Sequence, residues 1–241
     1  MNEAELNPEI EQELHEIKDN SQRARTLIIV FWTLIGATLV GLGTGYNELQ
    51  LLWNVQAGKY VSEQEANISD MIQMTMGFVQ AGIYIASMVV FLNWFRRAYG
   101  NLHRVGVNIK HYEKMAVWAW MIPFIWFYRP VQIMNEIWTK TQEKIKEFDE
   151  TYEIQSGGII IGLWWTIFII SNFIGRYIFK TLFKQESIGQ MIESSQATMI
   201  SDIIQIPEAL LVILIVYRLS KMESKLAYEV EKSGGNIEYA K

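Results

Sequence analysis

Cysteine is absent from the 241 residues, and there are only four prolines. Without thiols there is no disulfide framework, no thiolate zinc site, no iron–sulfur cluster and no thiol catalysis. An excess of positive charge is missing too. The 26 acidic and 21 basic side chains leave a net charge of −5, which argues against general nucleic-acid binding. Half of the residues are hydrophobic and 13% are aromatic, so a disordered or collagen-like chain is excluded. Mean hydropathy is only +0.09, but this average hides long uncharged runs that alternate with charged stretches. That segregation is the pattern of a multi-pass membrane protein.

Three uncharged runs are long enough to cross a bilayer, Thr26 to Tyr46, Met71 to Phe95 and Ile154 to Gly175. A helix needs roughly 20 apolar residues to span a hydrocarbon core of ~30 Å. In lipid the backbone must satisfy its own hydrogen bonds, which makes each run helical despite its β-branched residues. A fourth span is expected from Met199 to Leu219. Ala209 to Tyr217 in its second half is purely apolar, whereas its first half carries Asp202, Gln205 and Glu208. The run Met115 to Tyr128 is shorter, rich in tryptophan and interrupted by Pro123. Residues 115–129 are therefore expected to be interfacial or re-entrant, with Trp118, Trp120 and Trp126 at headgroup level.

The expected fold is an all-α membrane protein with four transmembrane helices, that aromatic segment and a cytoplasmic amphipathic helix. Residues 1–25 form a cytoplasmic leader, 26–225 the membrane domain and 226–241 a cytoplasmic tail. With both ends inside, 17 of the 21 Lys and Arg residues fall on the inner side, which is the arrangement the positive-inside rule prefers. The first span reads as a signal anchor that is not cleaved. Glu3 to Arg25 reads either as an amphipathic helix through Leu6, Ile10, Leu14 and Ile17 or as a frayed polar leader. After Pro130, the residues Val131, Met134, Trp138, Thr141, Ile145 and Phe148 recur at steps of three and four. This predicts a helix over about 130–152, a possible docking face for a partner protein. The tail after Lys232 reads as disordered.

Two strings carry a family signature: FLNWFRRAYGNLHRVG from Phe91 to Gly106, then MAVWAWMIPFIWFYRPVQIMNEIW from Met115 to Trp138. In this order they resemble the bacterial membrane family called domain of unknown function 4328. The resemblance continues through Leu163 to Arg176 and Ile215 to Glu223. It implies a multi-pass inner-membrane protein with no assigned activity.

Two constellations are chemically suggestive. Trp94, Arg96, Arg97, Asn101 and Arg104 lie at the inner end of the second span, and Arg129 sits beside Trp118, Trp120 and Trp126. These cations suit anionic lipid headgroups or a phosphate-bearing ligand. The competing reading is that they only anchor the topology. The second constellation centres on Glu208. It lies ten residues before Arg218, or ~15 Å along a helix, and so near mid-membrane. An ionised side chain there costs roughly 2.5–3.5 kcal/mol, so Glu208 needs a proton or a partner facing the bundle interior. Gln80 and Asn172, expected at similar depth, are the candidate partners. Gly41 and Gly45 suit close helix packing. His15, His103 and His111 have no metal-ligand spacing, and no nucleophile–base pair, phosphate loop or cofactor motif is present. The leading expectation is a non-enzymatic interaction or scaffold protein that engages lipid or a membrane partner. The alternative is a small transporter or channel subunit with an intramembrane carboxyl site at Glu208.

Overall fold

The computed structural model describes residues 16–182, 187–234 and 236–238. A short strand β1 (Glu16–Lys18) leads into helix α1 (Ser21–Gln56) and helix α2 (Glu63–Arg104). A single helical turn α3 (Met115–Trp118) and a 3-10 turn (Ile125–Phe127) follow. Then come α4 (Arg129–Phe148), α5 (Gly158–Leu182), α6 (Ile188–Lys232) and a last strand β2 (Asn236–Glu238). Helices α1, α2, α5 and α6 are long and apolar enough to cross a membrane, so this is an all-α, four-span membrane protein.

The helices outrun the apolar runs that predict them. α2 has 42 residues and α6 has 45, or about 63 and 68 Å at the helical rise, roughly twice the hydrocarbon core. Once nucleated, a helix extends cheaply into polar sequence. Local caps set the ends. Ser62 and Glu65 form a reciprocal capping box before α2: the Glu65 N–H donates to Ser62 Oγ at 3.2 Å, and the Ser62 N–H to Glu65 Oε2 at 3.1 Å.

Two boundaries fall short of expectation. The third span starts at Gly158, not at Ile154. Gln142 holds the chain extended there: its Oε1 accepts the Gln155 N–H at 2.7 Å, and its Nε2 donates to the Gln155 carbonyl at 3.0 Å. Trp138 Nε1 donates to the same carbonyl at 2.8 Å. The helix expected over 130–152 ends at Phe148 because Asp149 leaves helical geometry. Its carboxylate is taken by Thr151 and by Lys225 Nζ at 2.7 Å.

The chain divides into two compact units. Unit 1 is drawn from Met1–Ile28, Val89–Gly162 and Ile213–Lys241, and unit 2 from Ile29–Met88 and Leu163–Val212. Unit 1 buries Phe91, Trp94, Phe95, Tyr99 and Leu102 of α2 together with Ile133, Met134, Ile137, Trp138 and Ile145 of α4. The α4 seam is thus largely as its spacing predicts. Ile133, Ile137 and Gln142 join it, however, and Phe148 lies exposed at its end.

In the same unit β1 pairs in parallel with β2, Ile17 opposite Ile237. Glu16–Lys18 is therefore strand rather than helix, and Asn236–Glu238 is ordered rather than part of a disordered tail. The rest of the expected helix before residue 16 lies outside the described residues. In unit 2, Leu49 and Leu52 pack with Ile192, and Met191 and Met199 close around them.

The stretch between α2 and α4 forms no spanning helix. Pro123 precedes a tight turn in which the Ile125 N–H donates to the Pro123 carbonyl at 2.8 Å. Its central residue, Phe124, has a φ of 64°, a strained conformation for a side-chain-bearing residue. Phe124 is 88% exposed, and Trp118, Met121, Phe127 and Tyr128 are exposed around it.

Candidate functional site

Unit 2 contains a cavity of about 510 Å3, within the range of small-molecule sites. α2 supplies Gln80 and Tyr84, α5 supplies Ser171, Asn172 and Arg176, and α6 supplies Ser201, Asp202, Gln205 and Glu208. Positions 201, 205 and 208 follow steps of four and three, which puts them on one face of α6. All three residues expected from depth alone, Gln80, Asn172 and Glu208, line this one recess.

Their contacts are specific. Ser171 Oγ donates to Glu208 Oε2 at 2.5 Å. Asn172 Nδ2 donates to the Phe168 carbonyl one turn back, at 2.8 Å, and so stays beside Glu208 without bonding to it. Gln80 faces Asp202. Thr38 donates to Gln205 Oε1 at 2.7 Å. Pro207 lies inside α6 and has no N–H for the carbonyl four residues back, which adds backbone polarity in the same turn.

Gly41 makes the cluster possible. A Cβ at that position would collide with the Gln80 amide and sit 3.5 Å from the Asp202 carboxylate. Gly45, one turn on, faces Met199. The G-x-x-x-G pair is therefore a packing face. Asp202 and Ser171 belong to the site although sequence reasoning gave them no role. Asp202 was visible as a charge inside an apolar run, and Ser171 as the neighbour of Asn172.

The second constellation lies in unit 1 and separates into core and cleft. Trp94 is fully buried, and its carbonyl accepts from Asn20 at 3.3 Å. Trp120 meets Phe91 edge-on at 5.5 Å. Asn101 is buried: its Nδ2 donates to the Lys18 carbonyl at 2.8 Å and its Oδ1 accepts the Lys18 N–H at 3.1 Å, which anchors β1. Asn101 and Asn20 also donate to the Glu223 carboxylate. These three side chains, Trp94, Trp120 and Asn101, therefore hold the fold.

Arg96, Arg97 and Arg104 line a smaller cleft of about 230 Å3 with Lys18, Arg23 and Glu113. Glu113 pairs with Arg96 at 3.0 Å and with Arg104 at 3.5 Å. Trp118 is exposed, and Trp126 meets Phe127 edge-on at 5.7 Å. Arg129 does not line this cleft. It lies over the Tyr128 ring, 5.2 Å from the centroid, and donates to His111 Nε2. Burial and then the Arg129 charge hold His111 below its ordinary value, which keeps the ring in the accepting form. Among the described residues, no group of three or more His, Cys, Asp or Glu side chains could hold a metal ion.

No curated protein and no solved structure matches this chain. A family model does: "Domain of unknown function (DUF4328)" matches residues 57–221, from the residues leading into α2 to the last third of α6. That stretch contains the cavity residues of α2, α5 and α6 and Arg96, Arg97 and Arg104 of the cleft. It starts earlier than the first signature string, which begins at Phe91, and covers well over half of the chain, which therefore belongs to the domain of unknown function 4328 family.

Proposed function

We propose that this protein is a small transporter or channel subunit whose polar cavity in unit 2 handles a proton or a small polar solute. One observation carries the reading: Gln80, Asn172 and Glu208, from three separate helices, line one recess with Asp202. Carboxyl groups at membrane depth are costly and persist where they line a path or a site. The proposed location is the bacterial inner membrane with both termini cytoplasmic. Two features support it, the pairing of Ile17 with Ile237 at one face and the Lys/Arg asymmetry. Purified protein in proteoliposomes should show a pH-dependent flux that drops in Glu208→Gln. Equal flux in the two proteins, or none in either, would overturn the reading.

A non-enzymatic interaction or scaffold role is the second reading. The exposed apolar tip around Phe124 and the cationic cleft favour it, with lipid, including anionic lipid, as the partner. A protein partner at α4 would meet its polar face, because its apolar seam is buried inside unit 1.

A further inference from the structure

The cleft in unit 1 gathers five cations, Lys18 and Arg23 from the N-terminal segment and Arg96, Arg97 and Arg104 from α2, together with Glu113. Like charges drawn into one recess repel, and topology anchoring does not require it, since cations spread along an interface satisfy the positive-inside rule equally well. Glu113 serves Arg96 and Arg104, and the buried Glu223 acts on Arg97. Arg104 Nη1 is buried and, among the described residues, has no hydrogen-bond partner. Gly100 lets the Glu113–Arg104 pair pack against the helix backbone: a Cβ there would stand 2.8 Å from the Glu113 carboxyl carbon and 3.0 Å from Arg104 Nη1.

We propose that this cleft is a binding site for one phosphate group, with Arg104 and Arg96 as its principal donors and Glu113 as the group that occupies those donors when the site is empty. Guanidinium forks match phosphate oxygens in pairs, which ammonium groups do not. At about 230 Å3 the recess is below the ~300–1,000 Å3 of sites for drug-sized ligands and suits a headgroup-sized anion. The phosphate is that of an anionic lipid or a free phosphate. Arg96 and Arg97 directly follow the apolar run ending at Phe95, which sets them at headgroup depth. The loop that supplies Glu113 runs on into the exposed Trp118, Met121 and Phe124, side chains suited to a lipid surface. Both points favour the lipid source. The inference gives chemistry to the interaction reading and rests on it for that source. It is independent of flux through unit 2, so one can fail while the other stands.

The test uses the full chain in nanodiscs of phosphatidylcholine with or without phosphatidylglycerol, with lipid retention read by native mass spectrometry and inorganic phosphate as competitor. Phosphatidylglycerol should be retained over phosphatidylcholine. Retention should fall about fivefold in Arg96→Gln and in Arg104→Gln, the scale of one cation at an anionic surface. It should rise in Glu113→Gln, a gain that misfolding cannot mimic. Phosphate binding in phosphatidylcholine discs with the same variant pattern supports the site with a soluble source. Unchanged retention in all three variants overturns the proposal. A fall in the arginine variants with no rise in Glu113→Gln also overturns it, because Glu113 then does not compete with phosphate for those donors.

Discussion

Ser171 donates its hydroxyl proton to the Glu208 carboxyl group across two membrane helices, at 2.5 Å. In lipid, an interhelical hydrogen bond of this kind contributes roughly 0.6–2 kcal/mol. Ser171→Ala should therefore lower the thermal midpoint of the protein in detergent, and Ser171→Thr should restore most of it. Equal midpoints for wild type and Ser171→Ala would show that the contact contributes nothing to stability.

The glycines of α1 make a controlled pair. A methyl at Gly43 enters open space, whereas one at Gly41 meets the Gln80 amide beside Asp202. Gly43→Ala should leave stability unchanged or raise it by up to about 1 kcal/mol through helix propensity. Gly41→Ala should lose that gain and displace Gln80. Thermal unfolding of the two variants side by side measures the difference, and the same midpoint in both would contradict the packing described.

Acid should weaken unit 1 through His111. Burial and Arg129 hold its pKa below the ordinary 6.5, with Glu136 opposing and Lys110 adding to the effect. A base with a lowered folded pKa binds fewer protons folded than unfolded, so stability rises with pH across that window. The contribution is complete above 6.5 and is lost as the pH falls below it. Between about pH 7.5 and about pH 5.5 the wild type should lose more stability than His111→Gln, which keeps an acceptor for Arg129 but does not titrate. Parallel losses would remove His111 as the cause.

How much of this was legible in the sequence depends on the range of the forces involved. The four spans were legible because lipid forces an uncharged run of sufficient length into a helix. Rise per residue needs no tertiary information, and by depth Gln80 and Asn172 share the recess with Glu208, but depth does not identify its hydrogen-bond partner, Ser171. The helix ends were read less well: the Ser62–Glu65 capping box is a local pattern, but the apolar runs alone do not report it. Pairing of Ile17 with Ile237 joins the two ends of the chain, and no local pattern signals it. Gln142 is a polar residue beside an apolar seam, which carries no sequence signal of burial, yet it is buried and holds the backbone that delays α5 to Gly158. Asn101 looked like part of a cationic face and is instead the anchor of β1, a role set by contacts with Lys18 and Glu223.

The central claim is that the recess in unit 2 is polar and open to solutes, and the naturally cysteine-free chain allows a direct test. Ser201 lines the recess, while Ile203, two residues along the same helix at nearly the same depth, points outward with 55% exposure. Single-cysteine variants at both positions should be exposed, in membranes, to a charged, water-borne thiol reagent. The account predicts fast labelling of Ser201→Cys and slow labelling of Ile203→Cys. Equal rates, or faster labelling at Ile203→Cys, would contradict it.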